Sequence, residues 1–319
     1  MIIYSPSSLF CINLPIPNFI CIFAQISNIA TMAKISDYLR LVKFSHTIFA
    51  MPFALLSFTY AWLTTDHQAN IFLLLAQVIG CMVFARNVAM GFNRWADRDI
   101  DAENPRTRER EIPAGVISPR GAVWFIVINA VLFIALAALI NPLCGWLSPL
   151  ALAIVMFYSY CKRFTSLAHI VLGISLGIAP VGAYMAVTGT SSWECWLLAL
   201  IVMTWCSGFD IIYALQDAEF DRERGLHSIP ALLGTRGALT VSALLHIASI
   251  ALLVLFASYQ PQSWLLYVGC AIFAAILASE HYIVTPTKQR NIGIAFGTFN
   301  ALASVSLALF LILNLVICG

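Results

Sequence analysis

Long apolar runs alternate with short polar breaks along most of this chain. A run of about 20 apolar residues is long enough to cross the hydrocarbon core of a bilayer as a helix. Nine such runs are visible, over roughly 44–64, 70–92, 119–140, 143–160, 167–188, 193–215, 237–258, 263–284 and 292–317. Lipid offers no partner to a peptide group, so these spans are expected to pack as an all-α helical bundle. Two polar breaks are long, 93–118 and 216–236. Chemistry that needs charge at the membrane edge is expected there.

The first 33 residues do not fit the pattern. They hold no Lys, Arg, Asp or Glu, and Pro6, Pro15 and Pro17 interrupt their apolar stretches. They lack the basic start of a secretory signal. Residues 1–33 read as a disordered or mis-started extension, with Met32 as the expected biological start. Residues 34–319 read as one domain, entered through the basic amphipathic stretch Lys34 to Lys43.

Composition agrees with a membrane solvent. Of the 319 residues 61% are hydrophobic and 10% charged, against about 25% charged in soluble domains. A net charge of +2 gives no electrostatic footprint for nucleic acid, and none is expected as a partner. Placement of the 17 Lys and Arg says more. They lie before the first span (Lys34, Arg40, Lys43), around the break between spans two and three (Arg86 to Arg120), after span four (Lys162, Arg163), after span six (Arg222, Arg224, Arg236) and before span nine (Lys288, Arg290). The opposite breaks, near Asp66, Pro142, Ser191 and Gln260, have none. The positive-inside rule then puts the N-terminus and both long loops in the cytoplasm and the C-terminus outside, in what reads as a bacterial inner membrane. The nine cysteines form no CxxC pair and read as small buried hydrophobes. Cys144 and Cys195 flank outer loops, and whether they pair stays open.

Two acidic clusters stand out. In the first, Asn93, Asp97 and Asp101 recur every four residues and line one face of a helix end. In the second, Asp217 and Asp221 repeat that spacing, with Tyr213 one turn earlier. Carboxylates crowded at a membrane edge repel one another. A hard cation removes that cost, and Mg²⁺ binds one or two carboxylates while keeping sites for phosphate oxygens. Two clusters facing each other are therefore candidates to hold Mg²⁺ around a diphosphate. Arg86 and Asp210 each lie seven residues before a cluster, on the same helix face and deeper in the membrane. Ionisable groups at that depth are functional candidates, although a mutual Arg86–Asp210 pair is the plain structural alternative.

These motifs resemble those of the UbiA superfamily of intramembrane prenyltransferases. The resemblance runs over about 34–319 and rests on Asn93, Asp97 and Asp101, on Asp217 and Asp221, on Asn104-Pro-Arg106-Thr107, on Tyr158 to Thr165 with Lys162-Arg163, and on Gly225-Leu-His-Ser228. It is closest to the 4-hydroxybenzoate polyprenyltransferase-like branch, which includes members of the futalosine route to menaquinone. It implies nine transmembrane helices around a central cavity, capped by the cytoplasmic loops between spans two and three and between spans six and seven. It also implies Mg²⁺ on Asn93, Asp97, Asp101, Asp217 and Asp221, and a polyprenyl diphosphate held by Lys162, Arg163, Arg106, Arg110 and Tyr158. Asp210, Arg86 and Tyr213 are the catalytic candidates, and a small aromatic quinone precursor is the expected acceptor. Some positions depart from the common pattern: Arg94 for Asp, Arg110-Glu111 for Arg-Pro, His227 for Lys, and Ala168-His169 for Pro-Gln. They leave the metal set intact and the acceptor open.

His46 and His169 are weighed as acceptor contacts, with an interfacial or core role as the plainer reading. His246 and Glu280-His281 are read as structural or outward-facing. Haem O synthase, naphthoate or homogentisate prenyl transfer, and proton-coupled transport stay open as alternatives. The oligomeric state stays open too.

Overall fold

The computed structural model describes residues 33–42, 51–66, 69–287 and 290–319. Residues 1–32 of the 1–33 extension, Met32 among them, and also His46 and Lys288, lie outside the described residues. A short helix, α1 (Ile35–Leu41), leads into α2 (Met51–Thr64), α3 (Ile71–Ala96), α4 (Arg98–Glu103), α5 (Pro119–Ile140), α6 (Pro142–Cys161), α7 (Ala168–Thr188), α8 (Trp193–Ala214), α9 (Ala218–Glu223), α10 (Ile229–Ser258), α11 (Trp264–Ile283) and α12 (Ile292–Cys318). Eight helices are long and apolar enough to cross a membrane: α3, α5, α6, α7, the α8–α9 run Trp193–Glu223, α10, α11 and α12. These match eight of the nine expected spans. The first expected span, 44–64, is described only from Met51 onward.

Helix starts follow from local chemistry. The Ser118 side chain accepts from Gly121 N ahead of Pro119, and Asn141 accepts from Cys144 N ahead of Pro142. Ser228 accepts from Ala231 N at the head of α10. A side-chain oxygen satisfies an amide the first turn leaves free, and proline there forfeits no hydrogen bond.

Packing uses small residues where helices touch. A Cβ on Gly173 would run into the Met203 carbonyl, and one on Gly177 would lie 2.8 Å from that of Ala199. These glycines let α7 approach α8 more closely than any side chain would allow, as expected where van der Waals packing drives helix association. The Trp205 indole on α8 is fully buried between Phe53, Phe209 and Phe273, and donates to Asn300 Oδ1 at 2.9 Å. It ties α8 to α12. His246 and Glu280 are buried as well, and His246 Nδ1 lies 3.0 Å from His281 Nε2, linking α10 to α11.

The outer surface is apolar, as a lipid-facing surface must be. Trp146, Trp193, Tyr259, Trp264 and Tyr267 are exposed at one end of the bundle. Such a ring suits a membrane–water interface. The opposite end gathers the charged loops: Arg163 donates to the Ala96 carbonyl at 2.7 Å, and His227 N donates to the Lys162 carbonyl at 2.7 Å. Helix α1 lies across this end, with Tyr38 stacked on Phe125 and Leu41 packed with Ile112 and Ile117. Cys144 and Cys195 are both free.

Candidate active site

The first acidic cluster keeps its face through a break. Helix α3 stops at Ala96 and α4 begins at Arg98, yet Asp97 N still bonds the Asn93 carbonyl and Asp101 N the Asp97 carbonyl. The four-residue register therefore survives. Asn93 Nδ2 donates to Asp97 Oδ2 at 3.2 Å. The second cluster is reached through a tighter turn, a 3₁₀ segment over Leu215–Asp217. A left-handed Gly225 (φ +65°) ends α9, and Leu226 N then bonds the Asp221 carbonyl.

Each motif acid but one is held by a base. Lys162 Nζ lies 2.7 Å from Asp97 Oδ2, and Arg163 Nη2 lies 3.0 Å from Asp97 Oδ1. Arg110 Nη1 donates to both oxygens of Asp101, at 2.7 and 2.8 Å. Arg106 forms a two-pronged pair with Asp217, and Asn104 Nδ2 adds a bond to the same carboxylate at 3.0 Å. A planar guanidinium matches a carboxylate in this way. Burial alone would depress the Arg106 guanidinium, but the Asp217 carboxylate outweighs it and raises it above its ordinary value. Asp221 bonds Ser228 and sits near Asp217 and Lys162. Asn104 and Arg106 come from the first long loop and Asp217 from the second, so the two clusters meet through cross-loop bonds.

These residues form one end of a cavity of about 950 Å³. Asn93, Asp97, Asp101, Arg106, Arg110, Tyr158, Lys162, Asp210, Tyr213, Asp217 and Asp221 all line it. Beyond this acid pole the walls turn apolar, through Phe133, Ala137, Ile140, Leu147, Ile178 and Met185. Tyr213 lies beneath Arg106, whose guanidinium stands 5.5 Å from the ring centre, and packs on Phe296 at 4.1 Å.

Three placements bear on the sequence reading. Arg163 does not line the cavity. It donates to the Ser159 and Ala96 carbonyls and stacks over Tyr160, so it staples α6 to α3 and buttresses Asp97 from behind. Arg86 and Asp210 do not pair with each other: His169 Nδ1 lies 2.7 Å from Asp210 Oδ2, and Arg86 Nε has no hydrogen-bond partner. Arg94, one of the departures from the family pattern, is buried in the cavity wall with its Nε unpartnered. Arg94 and Asn104 were not among the expected site residues, although both carried a signal in their place beside the first motif. His169 was weighed as an acceptor contact, but its pairing with Asp210, 41 positions away, had no signal in the sequence.

The donor set fits a hard divalent cation. Asn93, Asp97, Asp101, Asp217 and Asp221 offer oxygens, which Mg²⁺ prefers. Among the described residues no three His, Cys, Asp or Glu side chains already converge on one point. The bases occupy the carboxylates instead. The same bases are suited to phosphate.

A profile of the UbiA prenyltransferase family matches residues 50–315. A 4-hydroxybenzoate octaprenyltransferase of Yersinia enterocolitica is 30% identical over 257 residues, which is 81% of this chain and 86% of that protein. The enzyme of that name from Yersinia pseudotuberculosis is 30% identical over 281 residues, covering 87% and 95%. The apo structure of a UbiA homolog from Aeropyrum pernix K1 superposes with a TM-score of 0.71 at 32% identity, covering 85% of this chain and 97% of that one. A UbiA homolog from Archaeoglobus fulgidus, solved bound to GPP and Mg²⁺, has a TM-score of 0.63 at 20% identity, covering 85% and 99%. That last likeness concerns the fold.

Proposed function

This chain belongs to the UbiA prenyltransferase family, and from that premise we propose that it moves a polyprenyl group from its diphosphate to a small aromatic acceptor. The acceptor class is 4-hydroxybenzoate or a related precursor of ubiquinone or menaquinone. One observation carries the reading: a single cavity joins a pole of paired acids and bases to a long apolar interior. A diphosphate with a prenyl tail has that same division of polarity. The relatives named as 4-hydroxybenzoate octaprenyltransferases support the acceptor class.

Asn93, Asp97, Asp101, Asp217 and Asp221 would hold Mg²⁺. Bound there, the metal supplies neutralisation of charge on the departing pyrophosphate. Lys162, Arg106 and Arg110 now lie on the carboxylates, and each is placed to turn from carboxylate to phosphate. Arg86 and Arg94 line the same cavity, and their buried Nε groups have no hydrogen-bond partner. Arg163 acts by holding Asp97 in place. Cleavage of the allylic carbon–oxygen bond leaves a cation, which the electron-rich ring attacks. Tyr213 and Tyr158 offer a π face or a hydroxyl at this pole. The apolar walls keep water from the cation.

With α2 counted as a crossing helix, the bundle has nine spans. The loops 97–118 and 215–228 form the cytoplasmic cap, as the distribution of Lys and Arg implies. The test is direct. Purified protein with Mg²⁺, a polyprenyl diphosphate and a panel of aromatic acceptors is expected to yield a prenylated ring by mass spectrometry. Product from no aromatic acceptor overturns the reading.

A further inference from the structure

An allylic cation formed away from water needs electron density beside it, and an aromatic ring supplies that without trapping it. The two tyrosines at the acid pole already face cations of the protein. The Tyr213 ring lies beneath the Arg106 guanidinium, and Tyr158 has Arg94 and Arg110 as electrostatic neighbours. The aromatic side chain that lines the cavity next to Tyr213 is Phe296.

Phe296 is carried by an irregularity in α12. Ala295–Phe299 form a π-helical turn, whose bonds span five residues where an α-helix spans four. Such turns are rare inside helices and often stand at functional positions. This one is held by a complete buried network. Asn300 Nδ2 donates to the Ala295 and Phe296 carbonyls at 3.1 and 3.2 Å, and its Oδ1 accepts from Trp205 at 2.9 Å. A buried amide bonded at both ends keeps one orientation. The turn sets Phe296 against Tyr213, with ring centres 4.1 Å apart, and against Phe209, 5.6 Å apart; all three line the cavity. Tyr213 Oη meets Arg106, and Arg106 meets Asp217. Phe209 is one helical turn deeper than Tyr213. Phe296 touches both, so it sits just inside the pole that would grip the diphosphate, where the allylic carbon would lie.

Resting on the prenyl-transfer reading above, we propose that Phe296 is a catalytic residue whose π electrons stabilise the allylic cation. The allylic C–O bond breaks and its electron pair leaves with pyrophosphate. The carbon then carries the charge until a ring π pair of the acceptor forms the new C–C bond. The displaced ring proton passes to pyrophosphate or water, and the C–H pair restores the aromatic ring. Phe296 forms no bond in these steps. It has no lone pair with which to capture the cation, which a hydroxyl or carboxylate in its place would have.

The experiment replaces Phe296 in the full chain by mono-, di- and trifluorophenylalanine, beside wild type and Phe296→Leu. Fluorine drains negative charge from the ring face and hardly changes its size, so the fluorinated chains keep the test valid where Phe296→Leu loses stability. Thermal stability and donor KM are measured alongside. Single-turnover rates are read for prenylated ring and for free prenyl alcohol, the product of water capture. With Phe296 on the cation, the rate falls in step with fluorine number, reaching about tenfold at three fluorines. Donor KM is unchanged, because the uncleaved carbon bears no charge. Phe296→Leu loses about tenfold or more and releases a larger share of prenyl alcohol. A flat fluorine series shows packing alone and overturns the assignment, whatever Phe296→Leu does, and so does a series that moves only donor KM. Wild type that prenylates no aromatic ring overturns the prenyl-transfer reading and this role with it. Wild-type transfer beside a flat series overturns the role of Phe296 alone.

Discussion

Asp97 sits between Lys162 and Arg163, and Asp217 in the fork of Arg106. A carboxylate kept this way is neither repelled by its neighbours nor left bare near lipid. On the proposed reading it is also reversible: a metal and a diphosphate would exchange partners with the acid and the base together. Arg106 is the sharpest case, since it bonds Asp217 and reaches Tyr213 Oη at 3.2 Å. The Asp217 carboxylate raises its pKa against the effect of burial, and so favours the charged guanidinium. Arg106→Gln is expected to raise donor KM by about tenfold, the loss of one charge-assisted hydrogen bond, as read in steady-state kinetics at saturating acceptor. An unchanged KM would remove Arg106 from the diphosphate site. The motif acids were legible in the sequence because four-residue spacing at a helix end is a local property. Their partners were not, because Arg106 meets Asp217 across 111 positions and His169 meets Asp210 across 41.

At the scale of elements, the cavity depends on how closely α7 lies on α8. A side chain at Gly173 would run into Ser207 and the Met203 backbone. Gly173→Val is expected to cost about 1–3 kcal/mol or more through overpacking, seen as a lower Tm in detergent. Gly182, on the same helix, has nothing within 4 Å of a built Cβ, so Gly182→Ala should leave Tm unchanged or raised. Equal behaviour of the two variants would show that the contact does not matter. The four-residue spacing of Gly173 and Gly177 on α7 is a local feature of the sequence, and close packing in lipid favours small residues there. The break at Asp97 and the 3₁₀ turn before Asp217 could not. An apolar run shows where a helix crosses but not how its charged end unwinds.

For the molecule as a whole, the polar end and the apolar interior belong to one cavity with one substrate shape. The spans were legible because bilayer thickness imposes a length on every run. The depth of the cavity was not, because it depends on which helix faces turn inward. Ala137 on α5 lines its apolar part and is 4% exposed. Ala137→Trp is expected to block a long tail, raising KM for a long-chain donor while sparing GPP. Equal effects on both would place the tail elsewhere.

The most direct test of the central claim is transfer by purified wild-type protein with a polyprenyl diphosphate and an aromatic acceptor, in Mg²⁺ and in EDTA, with D97N and D217N in parallel. Prenylated product in Mg²⁺, its loss in EDTA and recovery on adding Mg²⁺, with both variants reduced about 100-fold or more, is the expected result. Product at full rate in EDTA, or from either variant, would contradict the account.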